Sequence, residues 1–320
     1  MYAREMNQFA PVLVTGFNRP ELLEEQLKTL IEMGCKVYLS LDVPKKNDLV
    51  NAESSRRCIA IANRFSPDLA RVRISKQHLG CFRGMTEAIT WGFGQETMLI
   101  ILEDDVRVNE IFLSYATKLL TDFESNHSVG SIAGTNFVPK SHITLKDDSV
   151  RFSAFASSWG WATWRDRWDD YLEDLNTFPI HDSIYPTNFW GWSSKRYWKK
   201  VFEDTSNGKY DAWDYRWLYS NWKRCRLTIV PNSNLAINVG FGEGATHTID
   251  ANLPWWLPRE IEAAFKLLTI PSPVVRDERA DRWAERNHYR TSFVQQFKGQ
   301  FSIKFPREAA VYRWIVGRTK

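Results

Sequence analysis

The stretch Met98–Val108 constrains the chain most. It reads Met-Leu-Ile-Ile-Leu-Glu-Asp-Asp-Val-Arg-Val. Met98–Leu102 is apolar without alternation, which suits a strand buried on both faces, as in a parallel sheet with helices above and below. Glu103, Asp104 and Asp105 then arrive with no spacer. Adjacent carboxylates repel one another and lose solvation when buried, so something must compensate. A hard divalent cation would do so: Mg²⁺ and Mn²⁺ take oxygen ligands and share them with a substrate's phosphates. Ligands of open α/β sheets bind beyond the carboxyl ends of strands, where this triplet falls. The competing reading is a solvated acidic turn.

The chain has 320 residues, enough for about two domains or one large α/β domain. A net charge of +4 does not argue for a nucleic-acid partner. Cys35, Cys58, Cys81 and Cys225 are scattered without paired metal-ligand spacing, and a reduced, cytoplasmic setting is the simpler expectation. Met1–Ala10 is polar, and no apolar run is long enough to span a bilayer.

Pro11–Phe17 reads as a first buried strand. Asn18-Arg19-Pro20 follows as a turn, with Pro20 suited to a helix start. Glu21–Met33 carries a helix-period apolar stripe, and Gly34 ends it. Val37–Leu41 is a second strand, so the opening is a right-handed β-α-β unit. Arg19 and Asp42 both land on the ligand rim. Asp42 can accept from a base or a ribose, or can cap a helix. Asn51–Phe65 reads as a helix and Ala70–Ile74 as a strand. His78–Gly84 reads as a glycine-punctuated loop and Met85–Gly94 as a helix. Arg83 is a candidate phosphate contact or a plain surface arginine. Neither a Walker loop nor a Gly-x-Gly-x-x-Gly fingerprint is present. Ile111–Phe123 is a helix, Val129–Gly134 a strand, and Phe137–Val150 a polar, loop-like segment.

Composition then shifts. Ser157–Tyr171 holds Trp159, Trp161, Trp164 and Trp168, and Trp213, Trp217 and Trp222 continue the trend. Aromatic faces stack on the apolar edges of sugar rings, although any single tryptophan more often fills a core. Lys209–Trp217 opens a predicted helix to Arg224 that would carry Asp211 and Asp214 on one face near its start. Each is a helix cap or a general base for an acceptor hydroxyl. Gly240–Thr248 is a glycine-rich loop whose His247 could complete a metal or diphosphate site. After a proline-broken linker with one helix at Glu260–Leu268, Arg276–Arg290 reads as a charged helix. The tail interleaves Lys298, Lys304, Arg307 and Arg313 with Phe297, Phe301, Phe305 and Trp314. That pattern suits a terminal helix packed on the body or peripheral contact with an anionic membrane face.

Taken in order, these motifs resemble the GT-A-fold, nucleotide-sugar-dependent glycosyltransferases. The likeness is to bacterial family-2-like enzymes of surface-polysaccharide clusters and to the N-acetylglucosaminyltransferase I type, and it covers roughly residues 11–250. Phe17–Pro20 resembles the nucleotide-side opening, and Leu41-Asp42 the second-strand acid that contacts the base. Leu102–Val106 resembles a Glu-Asp-Asp version of the Asp-x-Asp metal motif, with Asp105 as the direct ligand. Ser158–Trp164 resembles the acceptor-side Gly-Trp segment. Trp213-Asp214 resembles the stretch bearing the catalytic base. Gly244–His247 resembles the loop over the diphosphate. Tyr215 stands where the family has a second Asp, so Asp214 or Asp211 is the expected base. The Gln-x-x-Arg-Trp motif of processive synthases is absent.

The resemblance implies an α/β, Rossmann-like, mixed and mostly parallel sheet flanked by helices, with a helical C-terminal extension. It divides the chain into a transferase domain at 1–253, with a nucleotide half to about 135 and an acceptor half from 136, and an extension at 254–320. It implies an inverting, metal-dependent hexosyl- or N-acetylhexosaminyltransferase of surface-polysaccharide biosynthesis. The donor expected is a nucleotide-sugar, a UDP-sugar first. The acceptor is a saccharide or lipid-linked saccharide, and the cofactor Mn²⁺ or Mg²⁺. Arg19, Asp42, Arg83, Glu103 and Asp104 would hold the donor, Asp105 and His247 the metal, and Trp159, Trp161 and Trp213 the acceptor. The alternatives are a sugar-1-phosphate nucleotidyltransferase and a non-catalytic carbohydrate-binding protein.

Overall fold

The computed structural model describes residues 8–145, 149–171, 175, 191–240, 257–267 and 269–291. The first half alternates strand and helix: β1 (Val12–Gly16), α1 (Pro20–Glu32), β2 (Val37–Leu41), α2 (Leu49–Phe65), β3 (Arg71–Ile74), α3 (Gly80–Phe93) and β4 (Met98–Glu103). A short strand β5 (Val106–Val108), α4 (Glu110–Asp122) and β6 (Val129–Ala133) follow. The second half contributes β7 (Val150–Ser153), β8 (Trp161–Trp164), α5 (Arg165–Trp168), α6 (Gly191–Ser206), α7 (Asp214–Lys223), β9 (Leu227–Pro231), β10 (Ala236–Asn238) and α8 (Glu278–Asn287).

Eight strands form one sheet in the order β3-β2-β1-β4-β8-β6-β9-β7. β1, β2, β3, β4, β6 and β9 run one way, and β8 and β7 run against them. This is the mixed, mostly parallel, Rossmann-like α/β sheet that the sequence predicts.

The apolar run in β4 is explained by burial on both faces. Ile100 and Leu102 join Val12, Val14, Ala162 and Trp164 beneath α1, α2 and α4. Leu99 and Ile101 join Leu13, Trp161, Trp168, Trp213 and Trp217 beneath α3 and α7. A further aromatic core, with Phe155, Trp198, Phe202, Tyr219, Trp222 and Trp283, ties α6, α7 and α8 together. Helix α8 also docks on β7: Phe152 bridges to Arg276, and the buried Asp281 carboxylate accepts from Ala154 N at 2.9 Å.

Three expected elements differ. Helix α3 begins at Gly80, so most of the predicted 78–84 loop is helical. The predicted helix at 260–268 is absent from the described residues there; Ser149 instead donates to Lys266 O and bonds Thr269, while Phe265, Leu267 and Ile270 pack on the main core. The helix expected from 209 starts at Asp214, leaving Asp211 in the preceding loop. No helix among the described residues is long and apolar enough to cross a membrane. The basic tail lies outside the described residues.

Candidate functional site

Strands β1, β2 and β4 end along one rim of the sheet. The antiparallel β8 starts there, with Trp161 opposite Ile101. Residues far apart in sequence therefore meet: Arg19 after β1, Asp42 after β2, the acidic triplet after β4 and Trp159-Gly160 before β8.

The triplet is not a solvated turn. Asp104 and Asp105 are 4% and 5% exposed. Arg19, fixed between β1 and the first-turn Pro20, donates through Nη1 to Asp104 Oδ1 at 3.0 Å and to Asp105 Oδ2 at 2.5 Å. Asp105 Oδ1 is buried and accepts no hydrogen bond. Burial, then Asp105, Asp104 and Asp214, push Glu103 up to about 8. Burial likewise raises Asp104 to about 6, against the pull of Arg19. Arg107 staples the turn to α1: it donates to Asp104 O at 2.8 Å, Leu22 O at 3.1 Å and Gln26 Oε1 at 3.1 Å. Its one signal in the sequence is its place two residues after Asp105.

The β5–β10 ribbon lays the chain after Asn238 across the triplet. Val239 N donates to Asp105 O at 2.8 Å. A methyl group on Gly240 would lie 2.1 Å from Asp105 Oδ2, so only glycine passes there. His247 lies beyond, outside the described residues.

Asp42 and Asp211 share one task. The Asp42 carboxylate accepts from Leu79 N and Gly80 N at 3.1 Å, and Asp211 accepts from Cys81 N and Phe82 N at 3.0 Å. Two carboxylates thus satisfy the free N–H groups at the start of α3, which has no cap of its own. Gly80 has φ +77°, and a Cβ there would lie 2.8 Å from Asp211 Oδ2. The helix-cap alternative therefore describes both acids, although the helix capped by Asp211 is α3 rather than α7. Arg83 is exposed in the first turns of α3.

Asp214 opens α7 and accepts from Tyr215 N at 2.9 Å. Its charge is felt by Glu103 and by Cys81, whose thiol is pushed up to about 12 by burial and then by Glu103, Asp214 and Asp211. Asp214 lines an aromatic cavity of about 290 Å³. That cavity is lined by Trp159, Trp213, Phe137, Tyr197, His288 and Tyr289, with Ser157 and Ser158 at its polar side. Phe137 stacks on His288 at 4.5 Å and meets Trp159 edge-on at 5.3 Å. His288 is held neutral by burial, down at about 4. Phe137, Tyr197, His288 and Tyr289 carried no sequence signal, because only the fold brings α6 and α8 to the start of α7.

Trp161 requires correction as an acceptor contact. It is 1% exposed and stacks on Trp213 at 5.2 Å, inside the α3-side core rather than on the cavity. Its neighbour Trp159 points the other way across β8's start and does line the cavity.

The chain resembles several solved structures at low identity. One is a crystal structure of GalNAc-T7 with UDP, GalNAc and Mn²⁺: identity is 10%, 71% of this chain and 43% of that one are covered, and the TM-score is 0.40. Another is S. aureus TarS, with 12% identity, coverage of 71% and 36%, and a TM-score of 0.40. A third is UDP-glucose pyrophosphorylase complexed with UDP-glucose, with 8% identity, coverage of 69% and 90%, and a TM-score of 0.36. The chain therefore spans less than half the length of the first two. No family model and no curated protein matches the sequence. At these TM-scores the likeness carries no functional weight.

Proposed function

We propose that the protein is an inverting glycosyltransferase that moves a sugar from a nucleotide diphosphate-sugar to a hydroxyl of a saccharide acceptor. The observation that carries this reading is a buried acidic strand end with an unpartnered Asp105 oxygen, together with Asp214 on the wall of an aromatic cavity. The strand-end side suits a nucleotide diphosphate at the rim of an α/β sheet. The aromatic side suits a sugar ring, with Trp159 offering a face to stack on and the buried Trp213 behind it forming part of the wall.

A divalent cation fits the first side. The described residues hold no group of three or more metal-ligating side chains. Mg²⁺ and Mn²⁺ sites at phosphates, however, need only one or two carboxylates, with water and phosphate oxygens completing the shell. Asp105, with one buried oxygen unpartnered, meets that need, and Asp104 lies beside it. Bound there, the ion would neutralise charge on the departing diphosphate.

The chain's own residues supply the rest. Asp214 accepts the proton of the acceptor hydroxyl as that oxygen bonds to the anomeric carbon. The bond from that carbon to the diphosphate oxygen breaks, and the electron pair leaves with the nucleotide diphosphate. One displacement inverts the anomeric centre. Asp214 rather than Asp211 is the base, since both oxygens of Asp211 already accept backbone N–H groups. The donor class we favour is a UDP-sugar, and the pathway surface-polysaccharide assembly.

The test is thermal unfolding with UDP, GDP, CDP and TDP, each with Mn²⁺ or EDTA. A ligand of the native state raises the melting point by mass action. One nucleotide should raise it, with Mn²⁺ and not with EDTA, and Asp105→Ala should lose the effect. Asp214→Asn should keep the nucleotide shift and lose transfer by about 10²-fold or more. Full transfer by Asp214→Asn would overturn the base assignment.

A further inference from the structure

The acidic strand end carries a cation of its own. A single nitrogen of Arg19 bonds one oxygen of each buried aspartate, at 3.0 Å to Asp104 and 2.5 Å to Asp105. The other Asp105 oxygen is buried and unbonded. Asp105 is thus half-neutralised: one oxygen is occupied by a guanidinium, and the other waits for a partner. Gly240 packs against the oxygen that Arg19 holds, since not even a methyl group fits between its backbone and Asp105 Oδ2.

We propose that Arg19 is an exchangeable counter-ion: it holds Asp104 and Asp105 together in the free protein and gives up Asp105 when a divalent cation enters with a nucleotide diphosphate. The inference rests on the metal and donor reading above. Its physical basis is competition. A divalent ion binds a carboxylate oxygen at about 2.0–2.2 Å, and a guanidinium on the same carboxylate would face it as a like charge across a few ångströms in a buried setting. A guanidinium on Oδ2 therefore weakens the hold of Oδ1 on the ion by like-charge repulsion. The arriving diphosphate removes the conflict, because its oxygens offer the guanidinium a bidentate partner.

The exchange needs no backbone movement. Pro20 fixes the chain after Arg19 at the first turn of α1. The Arg19 side chain is 20% exposed, whereas those of Asp104 and Asp105 are 6% and 7% exposed. The arginine therefore has a way out toward solvent while the carboxylates stay in place. Arg107 holds the turn's backbone from below, through Asp104 O, so the carboxylates keep their positions when Arg19 leaves. Cation affinity in the free protein is then the difference between binding the ion and breaking the Arg19 pair, and nucleotide and cation reinforce each other's binding.

The test titrates Mn²⁺ into wild type and Arg19→Gln, with and without saturating UDP, and reads bound Mn²⁺ by electron paramagnetic resonance. Glutamine keeps a hydrogen-bond donor and removes the charge; Arg19→Lys, which keeps the charge, guards against misfolding of the first variant. Without UDP, Arg19→Gln should bind Mn²⁺ on the order of tenfold more tightly than wild type, and Arg19→Lys should not. With UDP the gap should shrink. Adding Asp105→Ala to Arg19→Gln should abolish the gain. Equal Mn²⁺ affinity of wild type and Arg19→Gln without UDP, or weaker binding by the variant, overturns the exchange and leaves the metal reading standing. No Mn²⁺ binding by any of the proteins, with or without UDP, overturns both.

Discussion

At the scale of single residues, the same side-chain type is put to three uses within one rim. Asp105 is buried with an oxygen to spare, Asp214 faces the aromatic cavity, and Asp42 and Asp211 are spent on the start of α3. Sequence spacing places all four near the rim, yet it cannot assign the uses. Asp211 lies three residues before Asp214, which suggests a shared helix, whereas the backbone groups it satisfies belong to Cys81 and Phe82, some 130 positions earlier. This makes a prediction that separates cap from base. Asp211→Asn keeps a side-chain oxygen that can accept an N–H bond, so it should retain transfer within a few-fold and unfold close to wild type. Asp211→Ala leaves two amides of α3 without that partner and should lower stability by about 1–2 kcal/mol. Differential scanning calorimetry beside an activity assay reads both. A loss of transfer in Asp211→Asn as deep as that in Asp214→Asn would make Asp211 part of the reacting group.

Among the elements, the alternation from β1 to α4 was legible because each piece carries its own period and its own stop signal. Val37–Leu41 is found where the pattern puts it, and α1 and α2 differ from expectation only at their ends. The second half was harder to read. β7 and β8 are short, and β7 packs on α8 from the far end of the chain while Trp164 of β8 donates to Leu120 O in α4, so local pattern says little about them. Helix α8 illustrates the point: a highly charged sequence, Glu278–Asn287, buries Asp281 and Glu285 against β7 and α6. Ser194 donates to Glu285, and burial pushes that carboxyl from its ordinary 4.5 up to about 8. A carboxyl raised in the folded state binds more protons there than in the unfolded chain. Its stabilising contribution is full below about pH 4.5 and is lost as pH rises through about 8. Asp281, raised to about 6, acts in the same direction at lower pH, whereas His288, lowered to about 4, acts oppositely between pH 4 and 6.5. The Glu285 share is isolated by comparison with Glu285→Gln. The melting point of wild type should fall relative to the variant by roughly 5 °C between pH 5 and pH 8.5. A difference independent of pH would mean that Glu285 is ionised throughout.

For the whole molecule, the decisive event is the reversal of direction at β8. A sheet of parallel strands alone would present only carboxyl ends at this rim. The antiparallel β8 brings its own start there, with Trp161 opposite Ile101, and so carries Trp159 and Gly160 to the end of β4. Residues that follow parallel strands and residues that precede an antiparallel one consequently meet along one edge. The tryptophan-rich segment divides at this point: Trp161 turns into the core against Trp213, Trp168 and Trp217, while Trp159 turns onto the cavity against Phe137. Alternation along the segment hints that the two face opposite ways, but it does not say which way is the core. The two should therefore respond differently to the same substitution. Trp161→Ala removes a side chain that is 1% exposed and should cost about 3–5 kcal/mol, lowering the melting point by roughly 10 °C. Trp159→Ala should cost about 1–2 kcal/mol, keep the melting-point shift given by nucleotide with Mn²⁺, and weaken acceptor use through KM rather than kcat. If Trp159→Ala instead loses the nucleotide shift while Trp161→Ala melts like wild type, the division of the rim into donor and acceptor sides by β8 is wrong.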